Sequence, residues 1–273
     1  MYETYWQLDT RPFENTSDPR FYYPDESRQA ALLKLRYAVE NQRQGVLLAG
    51  PAGVGKTLAV TMLRASLGDA FSPFVHVVFP RMPADQLLLY LGEQLGAARG
   101  ANGCGTIAAA VQRIERALAE NVQRGRHAVV VVDEAQLVDD PESLEALRML
   151  TNFQWVGRPG VTLVLVGQPR ILPVLARTPQ LDERMAVKCL VRPFTPEETA
   201  DYVLHRLRVA GAEGEIFEPQ ALQTLHQLTH GVARRINHLA DLALLIGYAE
   251  GRQTITSEQI ESVCQELVAV APE

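Results

Sequence analysis

Several classes of protein are set aside by what this sequence has little of. It carries three cysteines in 273 residues, Cys104, Cys189 and Cys264, far apart, odd in number and never as C-x-x-C. That usage points to a reducing compartment and supplies neither a disulfide framework nor a structural zinc. No run reaches the ~18 uninterrupted apolar residues of a membrane span; His238 to Ala249 is broken by Asp241. Met1 to Asp9 is polar and aromatic without an apolar centre, so no signal peptide is expected. Positive charge is not in excess: 26 Lys and Arg stand against 32 Asp and Glu, a net charge of −6. Such a balance offers no overall field to draw in nucleic acid. Internal repeats and low-complexity tracts are also absent.

What is present is ordinary in bulk and specific in one place. A hydrophobic share of 47% with 21% charged residues fits a globular chain with a sizeable core, as one large or two modest domains. The specific place is Gly45 to Thr57, which reads as a short buried strand, a glycine-rich loop and the start of a helix near Lys56. Gly50, Gly55, Lys56 and Thr57 complete the pattern G-x-x-x-x-G-K-[ST]. The loop and first helical residues, Gly50, Pro51, Ala52, Gly53, Val54, Gly55, Lys56, Thr57 and Leu58, are the expected nucleotide-binding set. Glycines let successive backbone N–H groups turn inward as an anion nest, and the helix adds its positive end. Lys56 is suited to the β- and γ-phosphates of ATP and the Thr57 hydroxyl to Mg²⁺.

The rest of the first two-thirds alternates strands and helices, which predicts an α/β domain with a largely parallel sheet. Glu26 to Arg43 has helical spacing, with Ala30, Leu33, Tyr37 and Val39 or nearby residues as the expected apolar stripe. Strands are expected at 46–49, 74–79, 128–132, 161–166 and 187–191. Helices are expected at Pro83 to Leu95 and at Thr106 to Arg124, the latter with Ile107, Val111, Ile114 and Leu118 inward. Between those two, Gly96 to Gly105 reads as a mobile glycine-rich loop. The arginines at 113, 116 and 124 read as a solvated face rather than a nucleic-acid patch. After Pro193 only helices are expected, opened by the capping Thr195 with Pro196, Glu197 and Glu198. Three domains follow: 1–25, an aromatic segment packed on the core; 26–193, the α/β domain; and 194–273, a helical lid.

Chemistry gathers at strand ends. Ala128 to Val132 is apolar without alternation, as in a strand buried on both faces, and it ends in Asp133-Glu134. Ligands of open α/β sheets bind at carboxyl ends of strands. There Asp133 is suited to hold Mg²⁺ and Glu134 to act as general base on a water. Gln168, past the next strand, is either a γ-phosphate or water contact or a plain turn residue before Pro169. Arg184 is either an arginine offered to a neighbouring subunit's nucleotide or half of a surface ion pair with Asp182 or Glu183. Arg234, with Arg235 as alternate, stands at the start of a lid helix where a γ-phosphate contact would report on lid position. His226 and His230 have a metal-binding spacing, but no acid or cysteine completes a site.

These residues resemble the AAA+ ATPases, and more closely the ExeA/GspA-like branch tied to bacterial type II secretion. The likeness runs through Tyr5-Trp6-Gln7-Leu8, Arg11-Pro12-Phe13, Asp18-Pro19-Arg20-Phe21, the 50–57 loop, Val130 to Gln136, Leu165 to Pro169, His205-Arg-Leu207 and Gly231 to Asn237. It implies a P-loop NTPase core in three layers, a five-stranded mostly parallel sheet and a carboxyl-terminal helical lid. It assigns Lys56 and Thr57 to Walker A, Asp133 and Glu134 to Walker B, Gln168 to sensor 1, Arg184 to the arginine finger and Arg234 to sensor 2. The expected activity is Mg²⁺-dependent ATP hydrolysis by a homo-oligomer with shared ATP sites, ATP and ADP being the ligands. The partner would be secretion machinery or another protein. A DNA-associated regulator similar to the transposition ATPases, and a nucleotide switch without turnover, are the alternatives. The expected location is cytoplasmic, peripheral at most to the inner membrane. Secretion relatives usually continue into a membrane span and a cell-wall-binding domain, and this sequence ends at Glu273 before either. Ala233 stands where a proline often precedes the sensor-2 arginine.

Overall fold

Three strands are buried at every position and apolar at all but Thr162, and these form the middle of a parallel sheet. The computed structural model describes residues 1–96, 106–138 and 140–270. The expected loop of 96–105 and Cys104 fall almost wholly outside the described residues. The chain divides into two compact units: residues 26–51 with 59–191, and residues 1–25, 52–58 and 192–273.

The first unit is built on strands β1 (Gly45–Ala49), β2 (Phe74–Val77), β3 (Ala128–Val132), β6 (Val161–Gly167) and β7 (Met185–Leu190). Their order is β2-β3-β6-β1-β7 and every pairing is parallel. The central strands β3, β6 and β1 are buried throughout, whereas the edge strands β2 and β7 are buried only in part. Central strands covered on both faces are apolar at nearly every residue, the buried Thr162 of β6 being satisfied by His127 and Arg43 O, while an edge needs only its inner positions. A two-residue hairpin, β4 (Gln154–Trp155) and β5 (Arg158–Pro159), precedes β6.

Helices cover the sheet. α2 (Glu26–Glu40) packs on β1 and β7 through Ala31, Leu35, Ala38 and Val39. Of the four residues named for the stripe only Val39 faces inward; Leu33 is 69% exposed and Tyr37 49%, and their neighbours carry the packing. Helix α3 (Lys56–Ser66) buries Ala59, Val60 and Leu63. The helices α4 (Ala84–Gln94) and α5 (Ile107–Gln123) pack together, with Leu87, Leu91, Ile114 and Leu118 in the core. Ile107, expected inward, is exposed at the first turn of α5. Thr106 caps α5 through Ala109 N–H, and Asp140 caps α6 (Pro141–Leu150) through the N–H groups of Glu142 and Ser143. The short helices α7 (Ile171–Ala176) and α8 (Pro179–Asp182) lead into β7.

The second unit is helical: α9 (Pro196–Val209), α10 (Pro219–Thr229), α11 (Ala233–Ala249) and α12 (Ser257–Val270). The Thr195 hydroxyl and the Glu198 carboxylate form a reciprocal capping box at α9. Helix α10 stops where His230 and Gly231 both take positive φ, 52° and 70°. A side chain at Gly231 would lie 2.1 Å from the Phe194 carbonyl oxygen, so glycine is required there.

The amino-terminal aromatics pack within this helical unit rather than on the core expected for them. Trp6, Phe13 and Phe21 share a buried cluster with Phe194, Tyr202, Phe217 and Leu225. The Trp6 indole N–H donates to Leu244 O at 2.9 Å. The buried Arg206 guanidinium donates to Pro12 O and, at 3.0 Å, to Glu14 O, and it stands 4.6 Å over the Phe21 ring. The 1–25 segment does hold short turns, Tyr2–Tyr5 helical and Pro19–Phe21 in a 3₁₀ turn. Among the described residues no helix is long and apolar enough to cross a membrane.

Candidate nucleotide site

The glycine-rich loop leaves the carboxyl end of β1. Gly50 N–H donates to Gly167 O at 3.1 Å, tying the start of the loop to the end of β6. Gly53 and Gly55 have φ of 78° and 92°, the left-handed region where a side chain is strained. Alternation of such residues with ordinary ones turns backbone N–H groups toward a common point, the geometry of an anion nest. Val54 between them is fully buried and anchors the loop. Lys56 opens α3 and is only 6% exposed, while Thr57 beside it is exposed.

Residues 52–58 group with the helical unit, where they meet the start of α11. Arg234 N–H donates to Gly53 O at 3.0 Å. A Cβ on Gly53 would lie 2.8 Å from Arg234 Cβ, so that side-chain stem runs directly over the loop backbone. Of the two candidate arginines, Arg234 is the one in contact with the loop.

The acids stand at the same carboxyl edge of the sheet that β1 leaves. Asp133 follows β3, is 3% exposed, and donates its N–H to Val77 O at 2.9 Å. Its Oδ1 accepts Glu134 N–H at 2.8 Å, and its Oδ2 lies 3.5 Å from His76 Nε2 on β2. Glu134 takes a left-handed conformation, φ 49° and ψ 37°, which turns the chain sharply after the strand. Its Oε2 accepts from Gln136 Nε2 and lies 3.5 Å from Gln168 Nε2. Gln168 also accepts Arg170 Nη2 at 3.2 Å on its own Oε1. Gln168 is therefore in contact with the second acid, which a plain turn residue need not be.

Arg184 lies at the opposite edge of the sheet, just before β7. Its Nη2 donates to Asn152 Oδ1 at 3.0 Å, a neutral partner. The ion pair weighed for it with Asp182 is not formed; Asp182 holds Lys188 Nζ at 2.6 Å through each oxygen. Six residues of β7 at ~3.3 Å each put Arg184 about 20 Å from the carboxyl edge of its own sheet. Arg184 borders a cavity of about 560 Å³ that also includes Arg43, Arg158, Glu40 and Glu183. His226 Nδ1 bonds Thr199 Oγ1 at 2.9 Å and His230 ends α10.

Sequence reasoning missed Gln136, Gly167, His76 and Asn152. Gln136 carried a faint signal, as the one polar residue in Ala135-Gln-Leu-Val138.

Residues 39–175 match the family described as AAA domain. General secretion pathway protein A of Aeromonas hydrophila is 32% identical over 278 residues, covering all of this chain and 50% of that protein. ATP-dependent zinc metalloprotease FtsH of Pseudothermotoga lettingae is 27% identical over 241 residues, with 83% of this chain and 33% of that protein covered. The chain thus spans about half of the first relative and a third of the second. Among solved structures, Cdc6p from Pyrobaculum aerophilum aligns with a TM-score of 0.74 at 18% identity over 96% of this chain and 74% of that one. The Aeropyrum pernix ORC2 protein aligns at 0.72 and 18% over 94% and 72%. These structures speak to the fold, an AAA+ P-loop NTPase core with helices after it. With half of its length matched to that family, the chain belongs to the AAA domain family of P-loop NTPases.

Proposed function

We propose that this chain is an Mg²⁺-dependent ATPase whose turnover drives movement of its helical unit or its assembly, as in the secretion-associated ATPases it resembles. One observation carries the reading. Asp133, Glu134 and Gln168 stand at the carboxyl ends of β3 and β6, and the phosphate loop leaves the same end of the adjoining β1.

The residues fit a triphosphate and its metal. The nest at Gly53 and Gly55 with the α3 amino end takes the phosphates. Lys56 contacts the β- and γ-phosphates and offsets their charge. The Thr57 hydroxyl and the buried Asp133 carboxylate are hard oxygen ligands of the kind Mg²⁺ takes. The ion, when bound there, neutralises charge on the β- and γ-oxygens. Glu134 accepts a proton from water as the water oxygen attacks the γ-phosphorus and the bond to the ADP oxygen breaks. Gln168 orients the γ-phosphate or that water. Arg184 of a second copy supports the transition-state charge, so the oligomer is homomeric with shared sites. Arg234 links the loop to α11 and with it the lid. The same resemblance supports a location in the cytoplasm or peripherally at the inner membrane, with secretion or other protein machinery as partner.

The test is phosphate release by the purified chain with ATP, with and without Mg²⁺. Metal-dependent release supports the reading; tight ATP binding with release at the blank level replaces it with a non-hydrolysing switch.

A second reading is a DNA-associated regulator. It is favoured by similar folds seen with DNA, the Aeropyrum pernix ORC1 protein in complex with DNA and Drosophila ORC bound to DNA. The net charge of −6 weighs against it. An ATP-dependent shift of duplex DNA that weakens with added salt supports it, since phosphate contacts release counterions. No shift at low salt ends it.

A further inference from the structure

The 3₁₀ turn Ala135–Leu137 that follows Glu134 holds one polar side chain, Gln136, and it is 7% exposed. A buried carboxamide needs partners at both ends. Gln136 has them: Nε2 donates to Glu134 Oε2, and Oε1 accepts the Gln168 backbone N–H at 2.9 Å. One planar group therefore joins the acid after β3 to the residue after β6. Glu134 Oε1 accepts no hydrogen bond among the described residues, so one oxygen is held and the other keeps its lone pairs.

Gly167 makes room for this arrangement. A Cβ there would stand 2.6 Å from Gln136 Oε1, although the backbone of Gly167 is not in the left-handed region. Its lack of a side chain is explained by the carboxamide beside it. The length of Gln136 also matters. Asparagine is one methylene short of spanning both partners, and glutamate would set a second carboxylate against Glu134.

We infer that Gln136 is a positioning residue: it fixes the orientation of Glu134 and couples it to Gln168, so that displacement of the β6 end by a γ-phosphate is passed to the base. The inference rests on the proposed role of Glu134 as base. A shift of the Gln168 N–H moves Gln136 Oε1, and because the carboxamide is planar, Nε2 and the carboxylate it holds must follow. Both polar atoms of the Gln136 side chain are engaged within the protein, so its role runs through Glu134.

The experiment is Gln136→Leu, close in size and without the amide, measured in steady state and under single turnover in the wild-type and Glu134→Gln backgrounds. The expected result is a kcat lower by ~10²-fold, the scale of misplacing a reacting group by about 1 Å. KM and affinity for a non-hydrolysable ATP analogue should stay within about twofold, the scatter expected when uniform binding is untouched. In the Glu134→Gln background Gln136→Leu should cost nothing further, because the group it positions is already gone. A residue that only supports the fold would take its toll in both backgrounds. Gly167→Ala should reproduce the kcat loss by displacing the carboxamide, and it decides the matter by the same criteria if Gln136→Leu does not fold. Wild-type kcat in the variant that folds, or equal fractional losses in the two backgrounds, overturns the inference while an inactive Glu134→Gln leaves the ATPase reading intact. Near-normal turnover of Glu134→Gln overturns the assigned base and this inference together.

Discussion

The main-chain N–H of Arg234 donates to the Gly53 carbonyl at 3.0 Å, and Gly53 has no room for a side chain on that face, its Cβ position being 2.8 Å from Arg234 Cβ. Gly53→Ala therefore carries two costs: a left-handed conformation, worth roughly 1 kcal/mol or more for alanine, and a collision with the α11 stem. Loop and helix must part to accept it. We expect ATP affinity to fall by roughly tenfold or more, since 1.4 kcal/mol is a factor of ten. Titration with a fluorescent ATP analogue checks this, and an unchanged Kd would show that the contact has no bearing on the loop.

Lys56→Ala and Glu134→Gln should separate binding from turnover. Loss of the Lys56 ammonium removes a charge-assisted contact to phosphate, so calorimetry should detect little or no ATP binding. Glu134→Gln keeps the shape and the binding but removes the proton acceptor, for a kcat loss of about 10²–10⁴-fold. Retained ATP affinity in Lys56→Ala would remove the phosphate-loop assignment. Brisk hydrolysis by Glu134→Gln would clear that residue of its role.

Arg184 lies about 20 Å from the carboxyl edge of its own sheet, where the proposed nucleotide would sit, and its guanidinium rests on the neutral Asn152. Arg184→Ala should thus be inactive alone and be rescued on mixing with Glu134→Gln, because mixed interfaces pair an intact base with an intact arginine. Phosphate release as a function of mixing ratio is the measurement. Assembly of both proteins without recovery would count against shared sites.

His127 gives the α/β unit an acid-sensitive point. Burial pushes its imidazole from 6.5 down to about 4, and Nε2 bonds Thr162 Oγ1 at 2.8 Å. The unfolded chain then takes up a proton at higher pH than the native one. Stability is complete above pH ~6.5 and falls as pH drops toward about 4, by on the order of 3 kcal/mol. Urea unfolding at pH 7 and pH 4.5 should show that slope in the wild type and a flatter one in His127→Asn. Equal slopes would mean that other groups set the acid limit.

The parts of the fold that could be read in advance are those whose cause is local. Strands β1, β3 and β6 are apolar runs, broken only at Thr162, because both their faces are covered, and Thr195 to Glu198 announces a helix start by residue type. In α2 the pattern misleads: apolar residues at 30–33, 35 and 37–39 serve more than one face, and only the packing on β1 and β7 selects Ala31, Leu35 and Ala38 over Leu33 and Tyr37. The site divides the same way. The 50–57 loop and the Asp133-Glu134 pair are contiguous, so spacing reveals them. The contact of Gln136 with Gln168 depends on β3 lying beside β6, and that of Arg184 with Asn152 on a separation of 32 residues. Aromatic content marked residues 1–25 as buried, but not what they would be buried against.

That last point bears on any shortened version of the protein. A chain begun at Glu26 would keep every residue from Gly50 to Thr57, both acids and the whole sheet, and by inspection would look like a self-sufficient ATP-binding half. It would nonetheless strip Trp6, Phe13 and Phe21 from among the last four helices and take from the Arg206 guanidinium its Pro12 and Glu14 acceptors and the Phe21 face. Its first symptom should be protease-sensitive carboxyl-terminal helices, so that damage done at one terminus declares itself at the other.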